Sequence, residues 1–120
     1  MFELTQEFYF EAAHTLERQL EREGSRRIHG HTYHAEVTVA GEPDALGMVM
    51  DLAALRLQVH AVRALLDHHF LDEVQGLGRP TLENLCRFIA ARLTPQLPGL
   101  KRVCVARRAT GDRCTLDVSS

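Results

Sequence analysis

Alternating apolar and polar side chains predict two β-strands in the first third of the chain. Residues 2–13 alternate, with Phe8, Phe10 and Ala12 on one face. A longer alternation follows, in which one face carries His31, Tyr33, Ala35, Val37 and Val39. Because side chains two residues apart share a face of a strand, both segments are typical of half-buried strands. The charged segment 15–27 between them is expected to be a solvated loop or a frayed helical turn.

Apolar residues spaced three and four apart predict two amphipathic helices in the middle of the chain. Asp51 is the expected N-cap of the first helix, whose apolar stripe consists of Leu52, Leu55, Val59, Val62 and Leu66. Thr81 is the expected N-cap of the second helix, whose stripe consists of Leu82, Leu85, Ile89 and Leu93. Pro95 and Pro98 follow this stripe, and prolines are common shortly after a helix ends.

Two further strands are predicted over residues 102–107 and 113–118, joined by a hairpin connection at Thr110, Gly111 and Asp112. The element order is therefore ββααββ. Paired strands and segregated helices indicate an α+β fold with an antiparallel sheet and both helices on one side. One domain is expected over residues 1–120, and contact between copies would cover the open face and the edges of the sheet.

Composition narrows the classes of function. The chain has 120 residues, of which 45% are apolar, and this suits one compact core. Its formal charge of −2 gives none of the basic excess expected of a protein that binds nucleic acid. No apolar run approaches the roughly 20 residues of a membrane-spanning helix, and the first residues lack the features of a secretory signal. Three cysteines outside any paired motif favour a cytoplasmic protein.

Histidine is the unusual residue, with seven copies, four of which lie between His14 and His34. His29 and His31 are two residues apart, so their imidazoles point to the same face of a strand. His14 ends the first strand, and a hairpin between the first two strands would place it beside them. Three neutral imidazoles with one open position are typical of a catalytic zinc site. The alternative is that these are surface histidines with other partners.

A second candidate group follows the first predicted helix directly, at Asp67, His68 and His69. An aspartate beside a histidine can orient the imidazole and stabilise its charged form, which suits a general acid or base near neutral pH. The alternative is a polar helix end, where histidines interact favourably with the helix dipole. The spacing alone leaves both interpretations open.

Five segments together resemble the 6-pyruvoyltetrahydropterin synthase and 6-carboxytetrahydropterin synthase family. Residues 10–14 are F-E-A-A-H, 29–31 H-G-H, 47–52 G-M-V-M-D-L, 66–69 L-D-H-H and 80–84 P-T-L-E-N. The resemblance covers nearly the whole chain and implies a T-fold, in which ββααββ subunits join their sheets into a barrel, typically as trimers stacked into a hexamer. It also implies that His14, His29 and His31 bind zinc, and that zinc holds the side-chain hydroxyls of 7,8-dihydroneopterin triphosphate between subunits.

The resemblance further implies which side chains act in catalysis. Asp67 and His68 match the family's proton-transfer pair. Bacterial members usually carry a catalytic cysteine four residues before H-G-H, and this sequence has Ser25 there. A serine hydroxyl is a far poorer base than a thiolate unless another group activates it. Some members use a glutamate in this loop, so Glu23 and Glu21 are candidates for the base.

Ring binding is implied for three further residues. Thr81 and Glu83 match the segment that contacts the pterin ring. The family also has a glutamate on its C-terminal strand that accepts hydrogen bonds from the amino and N–H groups of the ring. When residues 103–106 are aligned with that strand, Arg107 stands at the position of this glutamate. Because a guanidinium only donates hydrogen bonds, Arg107 would favour a carbonyl or a carboxylate.

Three functions follow from these interpretations. The first is zinc-dependent conversion of 7,8-dihydroneopterin triphosphate to 6-carboxytetrahydropterin, with loss of triphosphate and acetaldehyde, for the deazapurine (queuosine) route. The second is aldol-type cleavage or epimerisation of a related pterin or of a lumazine-like ring, in which an oxo group replaces the amino group. The third is a zinc-holding oligomer that binds a purine-like or pterin-like ligand without turnover.

Overall fold

The computed structural model describes residues 1–16, 18–20 and 22–118, apart from the side chain of Arg22. The strands are β1 (Phe2–His14), β2 (His29–Gly41), β3 (Leu100–Arg107) and β4 (Asp112–Asp117). The helices are α1 (Arg22–Arg26), α2 (Leu52–Leu66) and α3 (Leu82–Leu93), with a 3₁₀ turn at Leu71–Glu73. The predicted ββααββ order is confirmed, and the short α1 is an addition within the segment expected to be a loop or helical turn. Among the described residues, no helix has both the length and the apolar character needed to cross a bilayer.

The four strands form one antiparallel sheet in the order β1-β2-β3-β4. β1 and β2 pair along their whole length, from Phe2 opposite Gly41 to His14 opposite His29. β3 and β4 form the predicted hairpin, whose connection contains Gly111 at φ 79°. Glycine adopts this left-handed conformation without the steric cost that a side chain would add. The long β1–β2 pair brings both ends of the segment between the two strands to one corner of the sheet.

Both long helices pack on one face of the sheet, as predicted. The side chains of Asp51 and Thr81 accept hydrogen bonds from backbone N–H groups of α2 and α3, so both predicted N-caps are confirmed. Four of the five residues in the predicted apolar stripe of α2 are buried, and Leu52 is the exception. Leu52 is 41% exposed because it begins the helix, and the buried stripe starts one turn later. The core joins these stripes to the inward side chains of the strands, and its largest members include Phe10, Tyr33, Leu55, Leu66, Leu85 and Ile89.

The opposite face of the sheet is polar and carries ion pairs between strands. Arg102 contacts Glu3 at 3.0 Å, and Arg113 contacts Glu36. Exposed ion pairs of this kind contribute little to stability individually. This is the face that the predicted contact between copies of the chain would cover.

The three cysteines are free thiols. Cys104 lies opposite Thr115, whereas Cys114 lies opposite Val105. Cys104 and Cys114 therefore do not face each other across the hairpin, because an offset of one residue puts two side chains on opposite faces of a sheet. Cys114 packs against the core, and its carbonyl oxygen lies 3.4 Å from Sγ of Cys86 on α3.

Candidate functional site

Three histidines meet at the corner of the sheet where β1 ends and β2 begins. His14 is the last residue of β1 and lies directly opposite His29, the first residue of β2. The ring centroid of His14 is 4.5 Å from that of His29 and 4.8 Å from that of His31. The centroids of His29 and His31 are 4.9 Å apart. The three side chains therefore converge in the way that the hairpin interpretation predicted.

The Nε2 atoms of these rings face a common point. Nε2 of His14 lies 2.9 Å from Nε2 of His29 and 3.1 Å from Nε2 of His31. One potential ligand atom from each residue lies within 4.8 Å of the other two. With Zn–N bonds of about 2.0–2.1 Å, the ligand nitrogens of a tetrahedral site are roughly 3.3 Å apart. The spacing of the three nitrogens therefore suits a metal ion of this size.

The opposite ring nitrogens show which side of each ring is free to bind a metal. Nδ1 of His14 donates to the carbonyl oxygen of Pro80 at 3.1 Å, and Nδ1 of His29 donates to that of Arg27 at 2.8 Å. Because a carbonyl oxygen only accepts, each neutral ring carries its proton on Nδ1 and a lone pair on Nε2. Two lone pairs facing each other repel unless a cation lies between them. The donor set thus fits a divalent metal held by three neutral imidazoles.

Burial keeps two of the three rings uncharged near neutral pH. Desolvation is the main cause that lowers the pKa of His14, and it lowers the pKa of His31 to about 4. The positive charge of Arg107 adds to the lowering of the pKa of both rings. The hydroxyl of Tyr33 lies 3.3 Å from Nδ1 of His14, and burial raises the pKa of this tyrosine to about 12. Both histidines are therefore in the uncharged form that binds metals.

A cleft of about 440 Å³ opens over the three imidazoles. The short α1 and the β3–β4 hairpin line its other sides, contributing Ser25, Arg107 and Asp112. Ser25 is buried and lines the cleft, so it does not lie on the outer surface of the loop. No cysteine lines the cleft among the described residues. The cleft therefore combines a candidate metal centre with a hydroxyl, a guanidinium and a carboxylate.

Asp67 and His68 form the hydrogen-bonded pair that the sequence predicted. Nδ1 of His68 lies 2.9 Å from Oδ2 of Asp67. Oδ1 of Asp67 accepts from the backbone N–H of Glu11 at 2.9 Å, and this bond is the largest cause that lowers the pKa of the Asp67 carboxyl. The carboxylate is thus ionised and fixed in place, with a side chain that is 15% exposed. His68 is 75% exposed, so the far side of its ring is open to a ligand.

The segment that follows α2 docks onto β1 and places this pair beside the histidine cluster. The backbone N–H of His68 donates to the carbonyl of Glu11 at 2.7 Å, and the N–H of Ala13 donates to the carbonyl of His69 at 3.2 Å. His68 has φ 58°, a left-handed conformation that is uncommon outside glycine and is often found at functional sites. A groove of about 540 Å³ is lined by both His68 and His31. His31 therefore belongs to both the cleft and the groove.

Other predicted site residues lie outside these two cavities. Glu23 is exposed on α1 and is not among the described lining of the cleft, whereas its neighbour Ser25 is. Glu21 falls outside the described residues. Thr81 caps α3 next to Pro80, which holds His14, but neither Thr81 nor Glu83 lines the cleft or the groove. The roles predicted for Glu23, Thr81 and Glu83 therefore remain predictions.

Arg63 is a candidate site residue that the sequence analysis missed. Its guanidinium lies 3.2 Å from Oδ2 of Asp67, and its Nε donates to the backbone carbonyl of Tyr9 at 2.6 Å. The two residues are four apart near the end of α2, a spacing at which opposite charges on a helix interact. That spacing was the signal available in the sequence. The carbonyl of Pro80, by contrast, gives no sign in the sequence of its contact with His14.

Comparison with known proteins identifies the group to which the chain belongs. The family model described as 6-pyruvoyl tetrahydropterin synthase matches residues 3–117. The chain is a member of this family. A 6-carboxy-5,6,7,8-tetrahydropterin synthase from Synechocystis is 37% identical over 118 residues, which cover 92% of this chain and 89% of that protein. A dihydroneopterin monophosphate aldolase from Pyrococcus furiosus is 38% identical over 97 residues, covering 78% of this chain and 79% of that protein.

A solved structure supports the same membership. The 6-pyruvoyl tetrahydropterin synthase of Caenorhabditis elegans superposes with a TM-score of 0.85 and 25% identity, covering 98% of this chain and 96% of that one. The expected T-fold subunit is therefore confirmed. As a member of the 6-pyruvoyl tetrahydropterin synthase family, the chain belongs to a group of pterin-processing proteins.

Proposed function

We propose that the protein is a zinc-dependent lyase that acts on the side chain of a pterin. Its substrate is 7,8-dihydroneopterin triphosphate and its product is 6-carboxytetrahydropterin. The reaction takes place in the cytoplasm and belongs to the queuosine route. The observation that carries the proposal is the convergence of three Nε2 atoms, two of which have lone pairs fixed by bonds on Nδ1, beside an Asp67–His68 pair. The 37% identity to the Synechocystis synthase supports the choice of substrate.

The residues of the chain have distinct roles in this proposal. His14, His29 and His31 would hold zinc, which supplies a Lewis acid that lowers the pKa of substrate hydroxyls. Asp67 orients His68 through Nδ1 and stabilises its charged form. Nε2 of His68, on the open side of the ring, then takes and returns a proton of the substrate side chain.

A neighbouring subunit completes the binding site for the pterin ring in this proposal. Thr81 and Glu83 line neither cavity of the chain that carries them. We therefore propose that they contact the ring bound at the cleft of a neighbouring subunit. The resemblance implies that the oligomer is a trimer or a hexamer.

Ser25 lies in the cleft at the position of the family cysteine, whereas Glu23 is exposed outside it. Ser25 is therefore better placed than Glu23 to contact substrate, but it is the weaker base.

One observation favours a second candidate, an aldolase-type cleavage of the pterin side chain. No thiol lines the cleft within the described residues, and a serine hydroxyl does not replace a thiolate as a base. A retro-aldol cleavage needs a polarised hydroxyl and one group that moves a proton, which the metal centre and the Asp67–His68 pair can provide. The relative from Pyrococcus furiosus is named as such an aldolase.

Product analysis tests these candidates. Zinc-loaded protein is incubated with 7,8-dihydroneopterin triphosphate and, separately, with the monophosphate, and products are separated by chromatography. A 6-carboxytetrahydropterin product supports the synthase, and a ring left with a hydroxymethyl group supports the aldolase. If the protein binds the ring but its turnover does not exceed that of the His68→Ala variant, the result supports an oligomer that binds the ligand without turnover. Absence of both binding and turnover would contradict every pterin-based function.

Arg63 gives a prediction that separates a positioning role from a structural one. Arg63→Met should lower kcat roughly tenfold with little change in KM, because the ion pair that holds Asp67 in place is lost. Arg63→Lys should restore part of the rate. Steady-state kinetics and thermal unfolding are compared with those of Arg56→Met, an exposed arginine on the same helix. Equal kinetics for the Arg63→Met and Arg56→Met variants would show that Arg63 does not position Asp67.

A further inference from the structure

Residues 67–72 run beside the end of β1 in the same direction. Oδ1 of Asp67 accepts from the backbone N–H of Glu11 at 2.9 Å where this contact begins. Ala13 pairs with Phe70 in parallel at its middle. Because the backbone of β1 takes part at both points, the contact fixes how the segment that follows α2 lies along the strand.

Asp72 closes the far end of this contact through Thr15. Oδ1 of Asp72 accepts from the backbone N–H of Thr15 at 2.9 Å, and Oδ2 accepts from its hydroxyl. Thr15 follows the last residue of β1, so the carboxylate takes the place of the sheet as acceptor for this N–H. Two bonds from one carboxylate to one residue fix both its position and its orientation. Asp72 lines neither the cleft nor the groove, so any effect on the reaction must act through other residues.

Thr15 stands between two parts of the candidate site. It directly follows His14, and the next residue, Leu16, donates its backbone N–H to the carbonyl of Ser25 at 2.6 Å. Asp72 therefore holds the chain at the point where β1 ends and the segment that carries Ser25 begins.

We propose that Asp72 is a positioning residue that fixes the candidate metal centre at His14 relative to the proton-transfer group of His68. His14 belongs to β1 and His68 to the segment beside it, so their separation depends on how firmly the two segments are joined. Asp67 joins them at one end and Asp72 at the other. A misplacement of about 1 Å can cost about 10²-fold in rate, so loosening one end is enough to slow the reaction. The inference rests on the proposed function, in which His68 moves a proton of a substrate held at the metal.

Steady-state kinetics of three variants test this role. Asp72→Ala removes both bonds to Thr15 and should lower kcat roughly 10- to 100-fold with little change in KM, because Asp72 lines neither cavity. Asp72→Asn should restore most of the rate, since the amide oxygen can accept from the N–H of Thr15 and the amide nitrogen can donate to its hydroxyl. Glu73→Ala is the matched control, because Glu73 is the next carboxylate on the same 3₁₀ turn, is exposed and lines neither cavity. Thermal unfolding shows whether each variant is folded.

Cobalt(II) gives a readout that does not need turnover. When it is bound at the three imidazoles, this paramagnetic ion speeds the NMR relaxation of the His68 ring protons, and the effect falls steeply with distance. Glu73→Ala and Asp72→Asn should show the relaxation of the wild type, and Asp72→Ala should not. Thr15→Val loses only the hydroxyl bond to Asp72, so it should shift kcat and relaxation in the same direction by less. It takes the place of Asp72→Ala if that variant does not fold.

The inference is overturned if Asp72→Ala, or Thr15→Val in its place, matches Glu73→Ala in either kcat or relaxation. It is also overturned if Asp72→Asn is as slow as Asp72→Ala, because the charge of Asp72 would then matter and not its bonds to Thr15, or if the loss of kcat follows the unfolded fraction of the protein. A wild type that binds cobalt but turns over neither pterin substrate contradicts the proposed function, and the relaxation alone then decides the inference. A wild type whose three imidazoles bind no cobalt contradicts both.

Discussion

Replacing His29 with alanine should abolish stoichiometric zinc binding while leaving the protein folded. The site has three candidate ligands, so removing one leaves only two imidazoles. Loss of a residue that merely hydrogen-bonds a metal ligand typically weakens metal affinity 10- to 100-fold. Loss of a ligand should weaken zinc affinity by more than this. Metal analysis after gentle purification and zinc addition should give close to one zinc per chain for the wild type. The variant should retain less than about 0.3 per chain.

His29 is the better choice for this experiment because His14 also supports the fold. His14 is 1% exposed and bonded to the carbonyl of Pro80, so its removal would leave a buried gap as well as an incomplete site. His60→Ala is the matched control, since His60 is exposed on α2 and lies outside the cluster. Equal zinc content in the His29→Ala and His60→Ala variants would show that the three imidazoles do not form the metal site.

Thermal unfolding gives the same prediction an independent readout. A ligand present at 1,000 times its dissociation constant stabilises the native state by about 4.1 kcal/mol when it does not bind the unfolded chain. Added zinc should therefore raise the Tm of the wild type and of His60→Ala, and should leave that of His29→Ala nearly unchanged. An equal rise in all three proteins would place the zinc elsewhere.

The candidate metal site could be predicted from the sequence because it depends on local periodicity and one strand pairing. The alternation along residues 31–39 fixes which side chains share a face, and the H-x-H spacing puts two imidazoles on one of those faces. The antiparallel pair then brings His14 opposite His29. Each step uses information within about one strand length, which is the range over which sequence patterns are informative.

The remaining features depend on contacts between distant segments. The bond from His14 to Pro80 joins residues 66 apart, and the bond from Glu11 to Asp67 joins residues 56 apart. No periodicity records such contacts, because packing of α2 and its following segment against β1 creates them. The one-residue offset between Cys104 and Cys114 depends in the same way on the register of the hairpin. The left-handed backbone of His68 accompanies its docking onto Glu11, and the sequence does not predict it because only a small minority of residues other than glycine adopt this conformation.

Removing the imidazole of His68 should lower kcat by about 10²- to 10⁴-fold, the range typical of a lost general acid or base. Asp67→Asn should lower kcat by a similar order, because an amide can face Nδ1 of His68 but cannot stabilise a charged imidazole ring. The double variant should be little worse than His68→Ala alone, since the two residues act as one unit. Substrate KM should change little in all three variants.

The pH dependence of these variants distinguishes an electrostatic role for Asp67 from a structural one. The pKa of Asp67 is held below its ordinary value, mainly by the Glu11 backbone bond, so the wild-type carboxylate keeps its charge until the pH falls below that value. The deficit of Asp67→Asn should therefore be nearly constant above that pH, and should shrink as the pH falls through the lowered pKa of Asp67, because the wild-type carboxylate then loses its charge as well. Thermal unfolding of Asp67→Asn at neutral pH shows whether the variant is folded. The loss of kcat in Asp67→Asn could instead follow the unfolded fraction of the protein and have no separate dependence on pH. That result would show that Asp67 supports only the backbone of β1 and does not assist proton transfer by His68.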